Sequence, residues 1–265
     1  MNFSKPEREL SLEEILKWAF AIYSKNFTKF LIPFLAAALV VGSLGVVVYN
    51  FATTATANIP EPGASPEEIQ NWFWGFIVAM LAIVFIMGIT SWIISAVVNG
   101  VCVKCAADLI EKGKASLTEA FNFTVYKLVS LLAVALITVI LIGLGFLALI
   151  VPGIILLIMF SLVVPAIMIE DIGALDSLSR SRRLVSYRWL KTFALLLIVY
   201  LAVIFVSYIG NLIGQPLGPL STLVGSVAAA FVQPIIPIAL TVYYYAMLAK
   251  EAKRVPPPPP PPPPF

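Results

Sequence analysis

"LVSLLAVALITVILIGLGFLALIVPGIILLIMFSLVVPAIMI", Leu128 to Ile169, runs for 42 residues without a charged side chain. As one α-helix it would be ~63 Å long, about twice the ~30 Å hydrocarbon thickness of a bilayer. "VPG" at 151–153 offers a turn near its middle. The stretch therefore reads as a helical hairpin that crosses a membrane and returns. Lys127 precedes it and Arg180 is the first basic residue after it, so both feet of the hairpin stand on the same, positively charged side.

Working outward, the rest of the chain repeats that arrangement. Sixty per cent of its residues are hydrophobic and 12% are charged, far from the roughly 25% charge of soluble domains. All 17 lysines and arginines fall into four blocks, Lys5 to Lys29, Lys104 to Lys127, Arg180 to Lys191 and Lys250 to Arg254. Positive residues beside membrane segments stay cytoplasmic, so the chain crosses an even number of times between blocks. The first gap holds two apolar runs around "TTATANIPEPGASPEEIQN", whose charges are Glu61, Glu67 and Glu68. The third gap is folded by "GQPLGP" at 214–219.

The expected fold is an all-α integral membrane protein with six transmembrane helices, at about 30–51, 72–98, 128–150, 153–169, 192–213 and 220–247. Residues 1–254 form the membrane domain, and both termini are cytoplasmic in a multi-pass cell-membrane protein. Cytoplasmic interfacial amphipathic helices are expected at about 11–27, 116–127 and 174–188. The first two open with Ser11 and Glu14 and with Ser116 and Glu119 at capping-box spacing. The third carries a thinner apolar face of Leu175, Leu178, Val185 and Trp189. Each precedes a hairpin, which suggests three degenerate repeats of interfacial helix plus hairpin.

Several functions are disfavoured by composition. The chain has no histidine, and so lacks the commonest general base and metal ligand. No catalytic or metal-binding residue is assigned, no cofactor is expected, and the protein is read as non-enzymatic. Cys102 and Cys105 form a lone C-x-x-C, too few ligands for structural zinc, and read as small buried thiols. The expected spans hold no Asp, Glu, Lys or Arg, the usual marks of ion-coupled transport. No nucleic acid partner is expected, since the basic excess is modest and little aromatic interleaving accompanies it.

Two groups of residues remain as site candidates. Arg180, Arg182, Arg183 and Arg188 could hold anionic lipid headgroups, guanidinium being suited to bidentate phosphate contacts, or could only mark the cytoplasmic side. Uncharged polar stripes along the second, fifth and sixth spans include Asn99, Asn211 and Gln233. Such stripes ordinarily serve helix packing, and the alternative is a polar cavity. The tail, residues 255–265, holds nine consecutive prolines, ~28 Å of polyproline II, either a spacer or a segment for docking a protein partner.

"VPGIILLIMFSLVVPAIMIEDIGALDSLSRSRRLVSYRW", with Pro152, Gly153, Pro165, Glu170, Ala174, Arg180, Ser181, Leu184 and Trp189, resembles the membrane domain fused to some glycerophosphodiester phosphodiesterases. That domain also stands alone in uncharacterised prokaryotic membrane proteins. "LSLEEILKWAFAIYSKNF" is similar to its opening helix, and the resemblance covers most of Leu10 to Lys250. It implies a membrane architecture and a link to lipids or their breakdown products. The family's hydrolase is a separate barrel needing histidines and metal-binding acids that this chain lacks, so no catalytic residue carries over. The function expected from the residues and the resemblance together is a membrane scaffold or lipid-associated accessory protein, with membrane lipids as partners. The alternative is a passive or weakly coupled transporter of small amphiphilic or neutral solutes.

Overall fold

A computed structural model describes residues 4–186 and 188–253. The polyproline tail and Tyr187 lie outside the described residues. Among those described, the structure is all-α without a strand: α1 Leu12–Lys25, α2 Phe27–Ala57, α3 Pro66–Lys112, α4 Leu117–Tyr126, α5 Leu128–Ala148, α6 Ile150–Met159, α7 Val163–Glu170, α8 Ala174–Val185, α9 Trp189–Gly214, α10 Ser221–Ala230 and α11 Ile235–Ala252. Five helical stretches are long and apolar enough to cross a membrane, Phe27–Ala57, Pro66–Lys112, Leu128–Ala148, Ile150–Glu170 and Trp189–Ala252. The chain is a multi-pass membrane protein by this pattern. The fifth stretch takes in two of the expected runs, because its reversal at Gln215–Leu220 is itself a 3-10 helix, turned by Gly218 at φ 56°.

Three helical hairpins result. In the first, α2 and α3 meet near their far ends, where Phe51 and Trp72 stack on Phe76 at 5.5–6.4 Å. Ser65 and Glu68 open α3 with a complete capping box, so the helix starts at Pro66, well before the expected run at 72. In the second hairpin the chain breaks at the extended residue Leu149, and "VPG" forms the first turn of α6. The turn is thus displaced from 151–153, because Pro152 lacks an N–H and fits a helix start, where that donor would be unpaired. A Cβ on Gly153 would come within 2.5 Å of the Phe146 ring, which explains the glycine. The third hairpin packs Gly210 against Ala228 and Gly214 against Ser221; small residues let helix backbones approach closely where lipid supplies no hydrophobic drive.

Every hairpin is pinned at its feet by a lysine just before or at the start of its first arm. Lys29 Nζ donates to the Ala115 carbonyl at 2.9 Å. Lys127 Nζ lies 2.6 Å from Asp171 Oδ1. In the third hairpin Lys191 at one foot and Lys250 at the other both lie 2.9 Å from the carboxylate of Glu9, so the N-terminal segment supplies the acid that joins them. Lys5 pairs with Glu111 at 2.9 Å. The four basic blocks therefore meet at one end of the molecule.

That end is also where the protein buries its core. Ile15, Ala19 and Ile22 of α1, Val101 to Val103 and Cys105 to Ile110 of α3 and Ile238 to Met247 of α11 are buried, with Tyr243 and Tyr244 among the largest fully buried side chains. The most apolar window of α3, by contrast, has no buried residue, as befits a helix facing lipid. The expected interfacial helices differ here from expectation. The apolar face of α1 is closed by protein rather than left for the membrane, although Phe20 stays exposed. In α8 the buried face is Ser177, Ser181, Leu184 and Val185, while Leu175 is exposed. The hydroxyls explain the shift: a serine can be buried when its oxygen has partners, and apolar periodicity does not count it.

The capping boxes also divide. Ser11 and Glu14 form both bonds, whereas Ser116 accepts from the Glu119 N–H without the reciprocal contact.

Candidate functional site

Two helices of the membrane region are broken, and both breaks follow from proline. Pro165 stands in the first turn of α7, and residues 160–162 leave helical bonding between α6 and α7. Pro234 precedes α11 and Pro237 lies in its first turn, with the break at 231–234. Each proline removes an amide donor. Freed backbone groups at membrane depth are tolerated where protein covers them or where they line a cavity, and here both happen.

At the first break, Ser181 of α8 donates to the Met159 carbonyl at 2.6 Å and accepts from the Leu162 N–H at 3.1 Å. At the second, Tyr23 of α1 donates to the Phe231 carbonyl at 2.7 Å. The helices at the charged end thus reach up to satisfy breaks in the spans. Neither contact was visible in the sequence, since each joins residues far apart in the chain; the only local signal was a proline in an apolar run.

The same breaks border two clefts. One, of about 350 Å³, lies among α2, α3, α9, α10 and α11 and is lined by Phe34, Ser91, Ser95, Asn99, Tyr200 and Gln233, among others. The other, of about 370 Å³, lies among α3, α5, α6, α7, α9 and α11, with Leu131, Thr138, Phe160 and Pro165 in its wall. Both volumes fall near the low end of the ~300–1,000 Å³ typical of small-molecule sites. Ser95, Asn99, Tyr200 and Ile236 line both clefts, so those residues form a partition between them. None of the lining residues is Asp, Glu, Lys or Arg.

Ser91, Ser95 and Asn99 share one face of α3 because they recur every fourth residue. Asn99 Nδ2 donates to the Ser95 carbonyl at 2.8 Å and to Ser95 Oγ at 3.1 Å, and its Oδ1 accepts no hydrogen bond among the described residues. The side chains of Gln233, Tyr200 and Ser91 make no hydrogen bond among the described residues, and Gln233 and Ser91 are only partly buried. Polar groups left open in an apolar surround favour a water or a polar ligand group.

The polar residues singled out in the sequence therefore separate. Asn99 and Gln233 reach the first cleft. Asn211 does not: its Nδ2 donates to the Ser207 carbonyl at 2.8 Å, and its amide lies over Gly225, where a Cβ would be 2.4 Å from Oδ1. It is a packing residue, as its four-residue spacing from Ser207 permits. Cys102 and Cys105 are free and buried, with Cys102 Sγ 3.8 Å from the Pro234 carbonyl.

The arginines separate too. Arg180 is only 12% exposed and is held by Glu170 at 2.8 Å and Glu251 at 2.7 Å. Tyr244 donates to Glu170 at 2.7 Å. Burial acts to lower the Arg180 pKa, but the hydrogen bonds to Glu170 and Glu251 outweigh it and raise it above the ordinary arginine value. Arg188 pairs with Glu9 at 2.9 Å and Arg183 more loosely with Glu251 at 3.3 Å. Arg182 is exposed and forms no ion pair among the described residues. Glu9 is surrounded by three cations; burial raises its pKa, but hydrogen bonds from Lys250, Lys191 and Arg188 bring it down to about 2.

Comparison with curated proteins and with solved structures finds no match. A family described as a domain of unknown function, DUF7847, matches residues 74–250. That range takes in most of α3, every element from α4 to α10 and most of α11, including both helix breaks and the partition between the clefts. The chain belongs to the DUF7847 family.

Proposed function

We propose that this protein is a non-enzymatic, lipid-associated scaffold or accessory protein with six membrane spans and both termini in the cytoplasm. The observation that carries the lipid reading is the pair of clefts, apolar with a few uncharged polar groups, set among the membrane-crossing helices. A protein surrounded by lipid that keeps such clefts offers amphiphiles a site with both kinds of contact. The resemblance to membrane domains that accompany phosphodiesterases of glycerolipid-derived substrates points the same way.

Six spans follow if the 64-residue stretch Trp189–Ala252 crosses twice, as its reversal at Gly218 supports. Three units, each a helix at the charged end followed by a pinned hairpin, are the corresponding repeat. The bias of lysine and arginine to the cytoplasmic side supports a cytoplasmic position for the charged end. A cysteine introduced at Gly63, between α2 and α3, then reacts with a membrane-impermeant reagent added from outside.

The lipid reading is tested by native mass spectrometry of the protein taken from its own membrane in lipid nanodiscs and then washed with detergent. The expected result is a defined lipid retained at about one per chain. A chain stripped bare under conditions that keep it folded removes the reading.

A further inference from the structure

The partition between the clefts carries a more specific conclusion, which rests on the lipid reading above. The clefts are nearly equal, about 350 and 370 Å³. Of the polar lining residues, Ser226, Thr138 and Ser161 spend their hydroxyls on backbone carbonyls, so the groups left open lie on the shared Asn99 and Tyr200 and, on the first cleft's side, on Ser91 and Gln233; the remaining walls are largely apolar, Phe34 and Val41 on one side and Leu131 and Leu157 on the other. A molecule complementary to this space has one polar node and two apolar arms. Its node is uncharged, because no charged side chain lines either cleft and a charge left unpaired in a low-dielectric site is strongly disfavoured. The acceptor Oδ1 of Asn99, left open while the amide nitrogen is spent on Ser95, and the free amide of Gln233 suit a hydroxyl or ester group.

We infer that the two clefts form one site for a neutral two-chain glycerolipid, its glycerol hydroxyl on the Ser95–Asn99–Tyr200 partition and one chain entering each cleft. The basic residues at the charged end take no part in recognising it. Arg180, Arg188 and Lys191 are engaged by acids there, and the partition presents no cation to a phosphate.

The experiment uses the full chain in phosphatidylcholine nanodiscs, titrated with dioleoylglycerol or with phosphatidylglycerol, and read by native mass spectrometry. Dioleoylglycerol is expected to bind at one per chain. Asn99→Leu, which removes the acceptor, is expected to weaken it roughly tenfold, and Ser95→Phe, which fills the partition, to abolish it. Arg182→Ala with Arg183→Ala is expected to change nothing. If Ser95→Phe fails to fold, the Asn99→Leu titration decides. Binding of phosphatidylglycerol in preference to the diacylglycerol, or diacylglycerol binding indifferent to Asn99→Leu, overturns the inference while leaving lipid association standing. Binding of neither lipid overturns both.

Discussion

Ser181 shows how one hydroxyl sustains a broken helix. It is fully buried, donates to the Met159 carbonyl and accepts from the Leu162 N–H, replacing bonds that the chain gives up before Pro165. Alanine there leaves two buried backbone groups unpaired, each costing ~1–3 kcal/mol. Ser181→Ala is therefore expected to lower the unfolding temperature of the detergent-solubilised protein, while Ser179→Ala, an exposed neighbour on the same helix, leaves it unchanged. Equal effects from the two would deny Ser181 its capping role. No local signal marks this contact, because the partners of Ser181 lie 19 and 22 residues earlier in the chain. Arg180 was similarly opaque. Its place in the basic block was plain, yet its two carboxylates come from α7 and from α11, the latter 71 positions away.

Elements were more legible than residues where a local rule governs them. The hairpin of α5 and α6 follows from the length of an uncharged run, and the reversal at Gln215–Leu220 follows from glycine and proline at 214–219. The start of α3 was hidden because its first residues are polar and acidic, so an apolar window begins at Trp72, whereas the capping box begins the helix earlier. The amphipathic faces of α1 and α8 were visible as faces, but periodicity does not say whether lipid or protein covers them. Within the second hairpin, Gly145 and Gly153 set the closeness of the arms, since a Cβ at 145 would sit 3.0 Å from the Gly153 Cα. Gly153→Val is expected to force the arms apart, a cost of ~1–3 kcal/mol for an overpacked contact. The readout is a lowered thermal midpoint, with a smaller loss for Gly143→Val, whose Cβ meets nothing within 4 Å. A harmless Gly153→Val would show that the arms are not held at that distance.

At the scale of the whole molecule, charge links elements that hydrophobic burial alone would leave free to slide. The Glu9 carboxylate, held down to about 2 by Lys250, Lys191 and Arg188, makes that linkage dependent on pH. A carboxyl whose folded pKa lies below its usual value of 4.5 stabilises the fold above that usual value, and the contribution disappears as pH falls through 4.5 toward about 2. Glu9→Gln is therefore expected to be less stable than the parent near neutral pH, with the difference in thermal midpoint closing on acidification. A difference that stays constant from about pH 7 to about pH 3 would assign the loss to packing instead. The gathering of four basic blocks was legible in outline from the positive-inside pattern. Which acid joins which block was not, because ion pairs between distant segments leave no local trace.

The arrangement around Glu9 has a consequence for how the chain is made. Lys29 and Lys127 close their hairpins onto residues translated later in the same or the following segment, so those two units are complete once each has emerged. The third is closed by Glu9, 182 positions before Lys191. Until Lys250 leaves the ribosome, Glu9 has only Arg188 and Lys191 to pair with, so the second foot of the hairpin is joined last. Residues made before any of the three hairpins thus lock the third one, so losing Glu9 is expected to leave the first two hairpins pinned and the third without its joining acid.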